Sequence, residues 1–242
     1  MMKMNRILKL IGLVTCMVSL LAFPAKTADV GFAVGAAGNY ATFDTTGTER
    51  EGNSTNTNTD TETASTSIEE NAVYGSFFAE IVAKGDMAGI TLGAEFVPGE
   101  AELGAKSRID TNGVDPVEND DGTYTAKADV SDYWSVYLEP TIYLNDNVGF
   151  FVKGGYSQLT VNSVEDGLAV GTDSATYGED EVTGTSWGYG LRAKSDAGVL
   201  MKLEYIETEY DTVTLDSTTG NKSRITADVD QQVVKISIGY QF

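Results

Sequence analysis

Ile236-Ser237-Ile238-Gly239-Tyr240-Gln241-Phe242 closes the chain. The stretch alternates. Ile236, Ile238, Tyr240 and Phe242 fall on one face of a strand, and Ser237, Gly239 and Gln241 on the other. A soluble domain gains little from an apolar side chain at a fraying terminus. Here every second position is apolar up to a final aromatic. The rival reading is a buried edge strand of a soluble β-sandwich, and the other end of the chain helps to separate the two.

That end has the form of an export signal. Lys3, Arg6 and Lys9 precede an apolar run from Leu10 to Phe23, followed by Pro24 and the small residues Ala25 and Ala28. This order of charge, apolar run and small residues is that of a secretory signal peptide. The run is shorter than the ~20 residues of a membrane-spanning helix. Cleavage is expected after Ala28 or Ala25, giving a signal segment over 1–28 and one domain over 29–242. A lipid-anchored Cys16 is disfavoured because the apolar run continues well past it. Cys16 is the one cysteine, so the exported part has no thiol chemistry. Residues 1–28 carry four of the 16 basic side chains and none of the 36 acidic ones, which leaves 12 against 36 and a net charge of −24. Such a surface excludes nucleic acid as a partner. The regular apolar pattern excludes a disordered acidic chain.

After residue 28 no helical period is sustained, and period-two alternation recurs eight times. The segments are Val30–Phe43, Ala72–Lys84, Gly89–Val97, Val130–Leu144, Val148–Val161, Thr185–Lys194, Val199–Glu209 and Ile225–Phe242. The fourth is the clearest, with Trp134, Val136, Leu138, Pro140, Ile142 and Leu144 opposite Tyr133, Ser135, Tyr137, Glu139, Thr141 and Tyr143. Pro140 removes a ladder donor in mid-strand and implies a bulge or an unpaired site. Three connections are short turns, at 84–87, 145–147 and 195–198, rich in Gly, Asn and Asp. Four are long and polar, at 44–71, 98–129, 162–181 and 210–224. Long and short alternate strictly, and both termini fall on the short-turn side. Outer-membrane barrels sort their loops this way, and a soluble sandwich has no reason to. The fold expected is all-β: an eight-stranded antiparallel up-and-down transmembrane barrel with short periplasmic turns and four long acidic external loops.

In that fold the faces assigned inward carry Glu80, Glu95, Glu139 and Glu204 together with Lys153, Arg192, Lys194, Lys202 and Lys235. Eight strands leave an interior just wide enough for side chains to fill. Buried ions offset their desolvation only when paired and hydrogen-bonded. The bland reading is therefore a charge-balanced plug, and the sharper one a narrow solute path. Tyr40, Trp134, Trp187, Tyr189 and Tyr205, with Tyr240 and Phe242, sit near the ends of the outward apolar runs, as belts at a membrane–water interface do.

The sequence has no histidine. Ser-His-Asp and Cys-His catalysis and histidine-ligated metals are excluded, and no Gly-rich phosphate loop opens a helix. No cofactor and no catalytic residue is expected. Asp115-Pro116-Val117-Glu118-Asn119-Asp120-Asp121-Gly122 is acidic, but its spacing does not fit a Ca²⁺ loop. A solvated acidic loop is the plainer reading, and cation bridging to lipopolysaccharide the weaker alternative.

The glycine-rich first segment, Leu138-Glu139-Pro140-Thr141, Phe151-Val152-Lys153-Gly154-Gly155-Tyr156 and the terminal Tyr240-Gln241-Phe242 resemble the small outer-membrane β-barrel superfamily of the opacity-protein and OmpA-transmembrane type. The resemblance covers the whole chain after the signal, and its specific motif is the ending. It implies that Ile236, Ile238, Tyr240 and Phe242 are the signal read by the barrel-assembly machinery. It also implies outer-membrane lipid and lipopolysaccharide as surroundings, no periplasmic domain after strand eight, and closure by inward ion pairs. Members serve as adhesins, envelope-stabilising proteins or small porin-like proteins. The expected function is non-enzymatic: envelope support or contact with an extracellular partner through acidic loops. The alternatives are a small porin-like channel and, third, a soluble periplasmic barrel holding an apolar ligand in its mouth.

Overall fold

The computed structural model describes residues 29–50, 63–110, 122–167, 176–216 and 224–242. The expected signal segment and both cleavage points lie outside the described residues. The described elements are all strands: β1 (Asp29–Arg50), β2 (Thr63–Lys84), β3 (Ala88–Phe96), β4 (Ala101–Asp110), β5 (Gly122–Tyr143), β6 (Val148–Gly167), β7 (Thr176–Lys194), β8 (Val199–Tyr210), β9 (Val213–Asp216) and β10 (Arg224–Gln241). β3 and β4 are two pieces of one wall strand, both paired to β5. β8 and β9 are likewise two pieces paired to β10. β1 pairs β10 and closes a barrel of eight antiparallel wall strands.

The register fixes how the barrel leans. Glu69 stands opposite Asp44, which stands opposite Asp230, and so on through Glu209, Thr185, Tyr156, Val136 and Ala94 to Ala79. One circuit thus returns to β2 ten residues further along, from Glu69 to Ala79. Such a shear requires strands tilted by about 35–45°.

The turns behave as their residues dictate. The Gly85 N–H donates to Ala88 O, and the Asn145 side-chain oxygen accepts from the N–H groups of Asn147 and Val148. Gly198 takes φ 88°, which a side chain would strain.

The strands are longer than their apolar pattern suggests. β1 runs to Arg50 rather than ending near Phe43, β2 begins at Thr63 rather than Ala72, and β5 begins at Gly122 rather than Val130. Much of the four polar connections is therefore wall. The reason is an inversion of the faces. Near the membrane the outward residues are apolar: Phe32, Leu92, Leu138, Leu191, Leu203 and Ile236 are each about half exposed or more. Further from the turns the outward residues are polar, and the inward ones form an apolar core of Ala41, Phe43, Leu159, Val161, Val182, Ile206, Val229 and Val233, joined by Tyr177, Tyr210, Val213 and Leu215. Period two continues, but its sign reverses, and a scan for apolar-out strands stops at the reversal.

Pro140 has a specific consequence. It faces Ile90 in the β3 ladder, whereas the β5–β6 ladder passes from Leu138↔Gly154 to Thr141↔Phe151 with no pair at Glu139 or Pro140 and no change of register. Of the two outcomes expected, Pro140 makes the unpaired site. The bulge of β5 lies elsewhere, between Ser131 and Trp134, where Asp132 takes φ 53°. Aspartate tolerates that region better than most side chains.

At the membrane-distal tip, Arg224 stands opposite Asp216 and grips both its carboxylate oxygens. The guanidinium holds the Asp216 carboxyl below its usual range. Both side chains are exposed, so the pair adds little stability.

Candidate functional site

Eight of the nine interior charges expected from the sequence point into the barrel and are buried. Six of them form one connected cluster. Lys202 on β8 donates to Glu80 Oε1 on β2 and to Glu139 Oε1 on β5, both at 2.7 Å, and lies 3.4 Å from Glu204 Oε1. Lys153 on β6 lies 3.0 Å from Glu139 Oε1 and donates to Glu204 Oε2. Arg192 on β7 donates to Thr91 Oγ1 at 2.6 Å and faces Glu80 Oε2 and Glu139 Oε2 at 3.7 and 3.9 Å. Lys235 on β10 pairs with Glu95 on β3. Lys194, also expected inward, is half-buried at the turn end of β7, outside this cluster.

With the Lys235–Glu95 pair beside it, the cluster makes four acids and four bases, supplied by seven of the eight wall strands. Its bonding is incomplete at one spot. Glu80 Oε2, Glu139 Oε2 and Arg192 Nη2 are buried without a hydrogen-bond partner. The Arg192 guanidinium attracts both carboxylates, but across distances too long for hydrogen bonds. Everywhere else the ions are directly bonded, which is what a buried charge requires.

Three aromatic rings frame the cluster. Tyr137 donates its hydroxyl to Glu80 Oε1 at 3.0 Å and lies under Lys153 Nζ at 3.8 Å from its ring centre. Phe151 and Phe78 lie 5.0 and 5.7 Å from Lys202 Nζ. Each ring stands opposite a glycine in register: Phe78↔Gly35, Tyr137↔Gly93 and Phe151↔Gly190. The room comes from the missing side chains. A Cβ on Gly93 would sit 2.3 Å from the Tyr137 ring, and one on Gly190 2.6 Å from Phe151. The rings then present their faces to the ammonium groups. Tyr137, Phe151, Phe78, Thr91 and Ser237 were not among the expected site residues. A large inward aromatic facing an inward glycine on the next strand is the signal that could have found them.

Toward the distal core the lining passes to neutral hydrogen bonds. Tyr210 donates to Gln231 Oε1, and Gln231 donates to the Tyr74 hydroxyl. Toward the turns it passes to Ala33, Phe78 and Leu200. The interior is thus layered as apolar, charged, neutral polar and apolar.

Tyr40, Trp134, Trp187, Tyr189 and Tyr205 all point away from the core. Tyr40 is followed outward by Thr42 and Asp44, and Tyr205 by Glu207 and Glu209. Tyr189 and Tyr205 touch at 5.6 Å between ring centres, as do Trp134 and Tyr156 at 6.1 Å. At the other end Ile236, Ile238, Tyr240 and Phe242 are exposed, with the last two rings 4.8 Å apart.

Charge is segregated along the axis. Residues 44–71, 98–132, 160–183 and 207–230 hold 28 of the 36 acidic side chains and only 6 of the 16 basic ones. The acidic run 115–121 lies outside the described residues. Among the described residues no group of His, Cys, Asp or Glu is placed to hold a metal.

Residues 13–242 match the family described as outer membrane protein beta-barrel domain. Among solved structures, Ail, the attachment invasion locus protein of Yersinia pestis, in complex with the heparin analogue sucrose octasulfate, is 12% identical, with 89% of this chain and 99% of that chain covered and a TM-score of 0.41. OprG from Pseudomonas aeruginosa is 13% identical over 88% of this chain and 96% of that one, at a TM-score of 0.39. Neisserial surface protein A is 7% identical over 81% and 96%, at a TM-score of 0.30. No curated protein matches the chain by sequence.

Proposed function

Because the chain belongs to the outer membrane protein β-barrel domain family and so resides in the bacterial outer membrane, we propose that it is a closed, non-enzymatic barrel that presents an acidic external wall for surface contact and envelope support. The observation that carries this reading is the axial segregation of charge. The membrane zone holds a neutral, paired cluster, while the distal zone holds most of the acid. A filled eight-stranded interior leaves little room for a solute. A strongly acidic, strand-supported wall standing clear of the membrane suits contact with cationic groups, whether on a partner or bridging lipopolysaccharide. The ending Ile236, Ile238, Tyr240 and Phe242 serves the assembly machinery in this reading.

The alternative is a narrow channel, favoured by one observation: the loosely bonded spot between Arg192, Glu80 and Glu139. Conductance of the refolded barrel in planar bilayers separates the two. No reproducible unitary current is expected. Steady currents that change with Glu139→Gln or Lys153→Met would make the protein a small porin.

Export by residues 1–28 is part of the same proposal. The intact mass of protein recovered from outer membranes is expected to correspond to a start at Asp29, with Lys26 as the second choice. Retention of residues 1–28 would refute it.

A further inference from the structure

Above the membrane the wall is two sheets rather than one cylinder. β3 ends at Phe96, and after Val97-Pro98-Gly99-Glu100 the chain resumes as β4. Pro98 has no N–H to offer a ladder, and Gly99 turns at φ 92°. β8 ends at Tyr210, and after Asp211-Thr212 the chain resumes as β9. Counted from β1, the interrupted wall strands are the third and seventh of eight, so the two breaks face each other across the barrel. Beyond the breaks each piece keeps a ladder on one side only: β4 pairs β5, and β9 pairs β10. The β2–β3 ladder stops at Phe77↔Phe96, and the β7–β8 ladder at Gly184↔Tyr210. Ladders therefore join β4-β5-β6-β7 into one distal sheet and β9-β10-β1-β2 into the other. β4 lies against β2, and β9 against β7, but among the described residues no ladder crosses either seam.

The two sheets meet through apolar side chains. Leu159, Val161 and Val182 come from the first, and Phe43, Leu215 and Val229 from the second. Apolar burial is non-directional, so it holds the sheets together without fixing them as a ladder would. At the β7–β9 seam the Asp211 N–H donates to Thr183 O at 2.7 Å, and the Thr183 hydroxyl donates to the Asp211 carboxylate. Further out the Thr214 N–H donates to the Asp180 carboxylate at 3.1 Å, a side chain standing in for a ladder partner. Charge works against closure. The stretches 98–132 and 160–183, on the side of the first sheet, hold 15 acidic and 3 basic side chains. The stretches 44–71 and 211–230, on the side of the second, hold 11 and 3. Two bodies of the same sign repel, and net charge of this kind destabilises a compact state.

We propose that the two distal sheets part as a pair of jaws, hinged on the membrane barrel and opening along the β2–β4 and β7–β9 seams, to bare the apolar core between them. Apolar burial closes the jaws and like charge opens them. The motion needs no partner. Parts of a fold that share few cross-strand bonds open before the rest, and the uninterrupted ladders below the breaks keep the membrane zone shut.

The test measures the distance between two nitroxide labels on the refolded barrel in lipid nanodiscs, by pulsed electron spin resonance. The chain's one cysteine, Cys16, lies in the expected signal segment, so the labels have no competitor in residues 29–242. Thr46→Cys on β1 and Asn162→Cys on β6 place one label on each sheet, on strands that stand opposite each other. Val34→Cys and Phe150→Cys place the control pair on the same two strands in the apolar membrane zone. Heat-modifiable migration checks the fold of each variant. The distal pair is expected to give a distance distribution about two-fold wider than the control pair at low salt. Screening shortens from ~30 Å at 0.01 M salt to ~3 Å at 1 M, so the distal distribution is expected to narrow and shift to shorter distance as salt is added. Asp180→Ala removes the acceptor of the Thr214 N–H and is expected to widen it again. Equal widths for the two pairs at low salt would mean one rigid cylinder and overturn the proposal. A wide distal distribution that neither salt nor Asp180→Ala changes would assign the spread to fraying of single strands, and would overturn it too.

Discussion

Lys202→Met is expected to lower the unfolding free energy of the refolded barrel by about 3–5 kcal/mol, the usual consequence of leaving a buried charge without its partner. Lys202 Nζ bonds Glu80 and Glu139 and lies beside Glu204, and all four side chains are fully or almost fully buried. Removing the ammonium leaves Glu80 with the Tyr137 hydroxyl and a distant Arg192, and Glu139 with Lys153 and the same distant guanidinium. Urea unfolding in lipid vesicles, followed by Trp134 and Trp187 fluorescence, measures the change. The double variant Lys202→Met/Glu139→Gln restores the interior balance and is expected to recover part of the loss. Arg224→Ala at the exposed tip pair is the contrast, at about 0–1 kcal/mol. A loss under about 1 kcal/mol for Lys202→Met would mean that water reaches the cluster, and the plugged interior would have to be abandoned.

The size of that effect explains which parts of the barrel could be read from the sequence. A charged residue on a strand that is otherwise apolar on the opposite face has one place to go in a membrane barrel, namely inside. Glu139 between Leu138 and Pro140, and Lys202 between Met201 and Leu203, therefore declare their side without a structure. Alternation fixes the parity of every strand, and the turn chemistry fixes the number of strands. What alternation does not carry is the partner. Which lysine meets which glutamate depends on the shear of ten residues around the barrel, a sum over eight registers to which single-strand patterns are blind. Tyr137 and Phe151 escaped notice for a related reason: their meaning lies in Gly93 and Gly190 on neighbouring strands. The break between β3 and β4 was hidden differently. Pro98-Gly99 reads as the start of a loop, and only the return of the chain as β4 reveals that a ladder has been broken.

The strand ends escaped notice because polarity reverses along them, and β8 offers the sharpest test of that reversal. Within five residues it passes from Leu203, outward and half exposed, and Glu204, inward and buried, to Ile206, inward and buried, and Glu207, outward. Leu203→Arg is expected to cost about 2–4 kcal/mol, as a cation on the lipid face does near mid-membrane. Ile206→Glu places a carboxylate among Phe43, Leu159, Val182 and Val233 with no base in that cluster. It is expected to cost about 3–5 kcal/mol, as an uncompensated buried charge. Glu207→Leu exchanges one outward side chain above the apolar zone and is expected to stay within about 0.5 kcal/mol. The order of the three values is the result to check, by urea titration of each refolded variant. If Ile206→Glu proved as mild as Glu207→Leu, the distal interior would be wet rather than a core. The long strands would then be held by their ladders alone, and the acidic wall that the proposed function requires would lose its internal support.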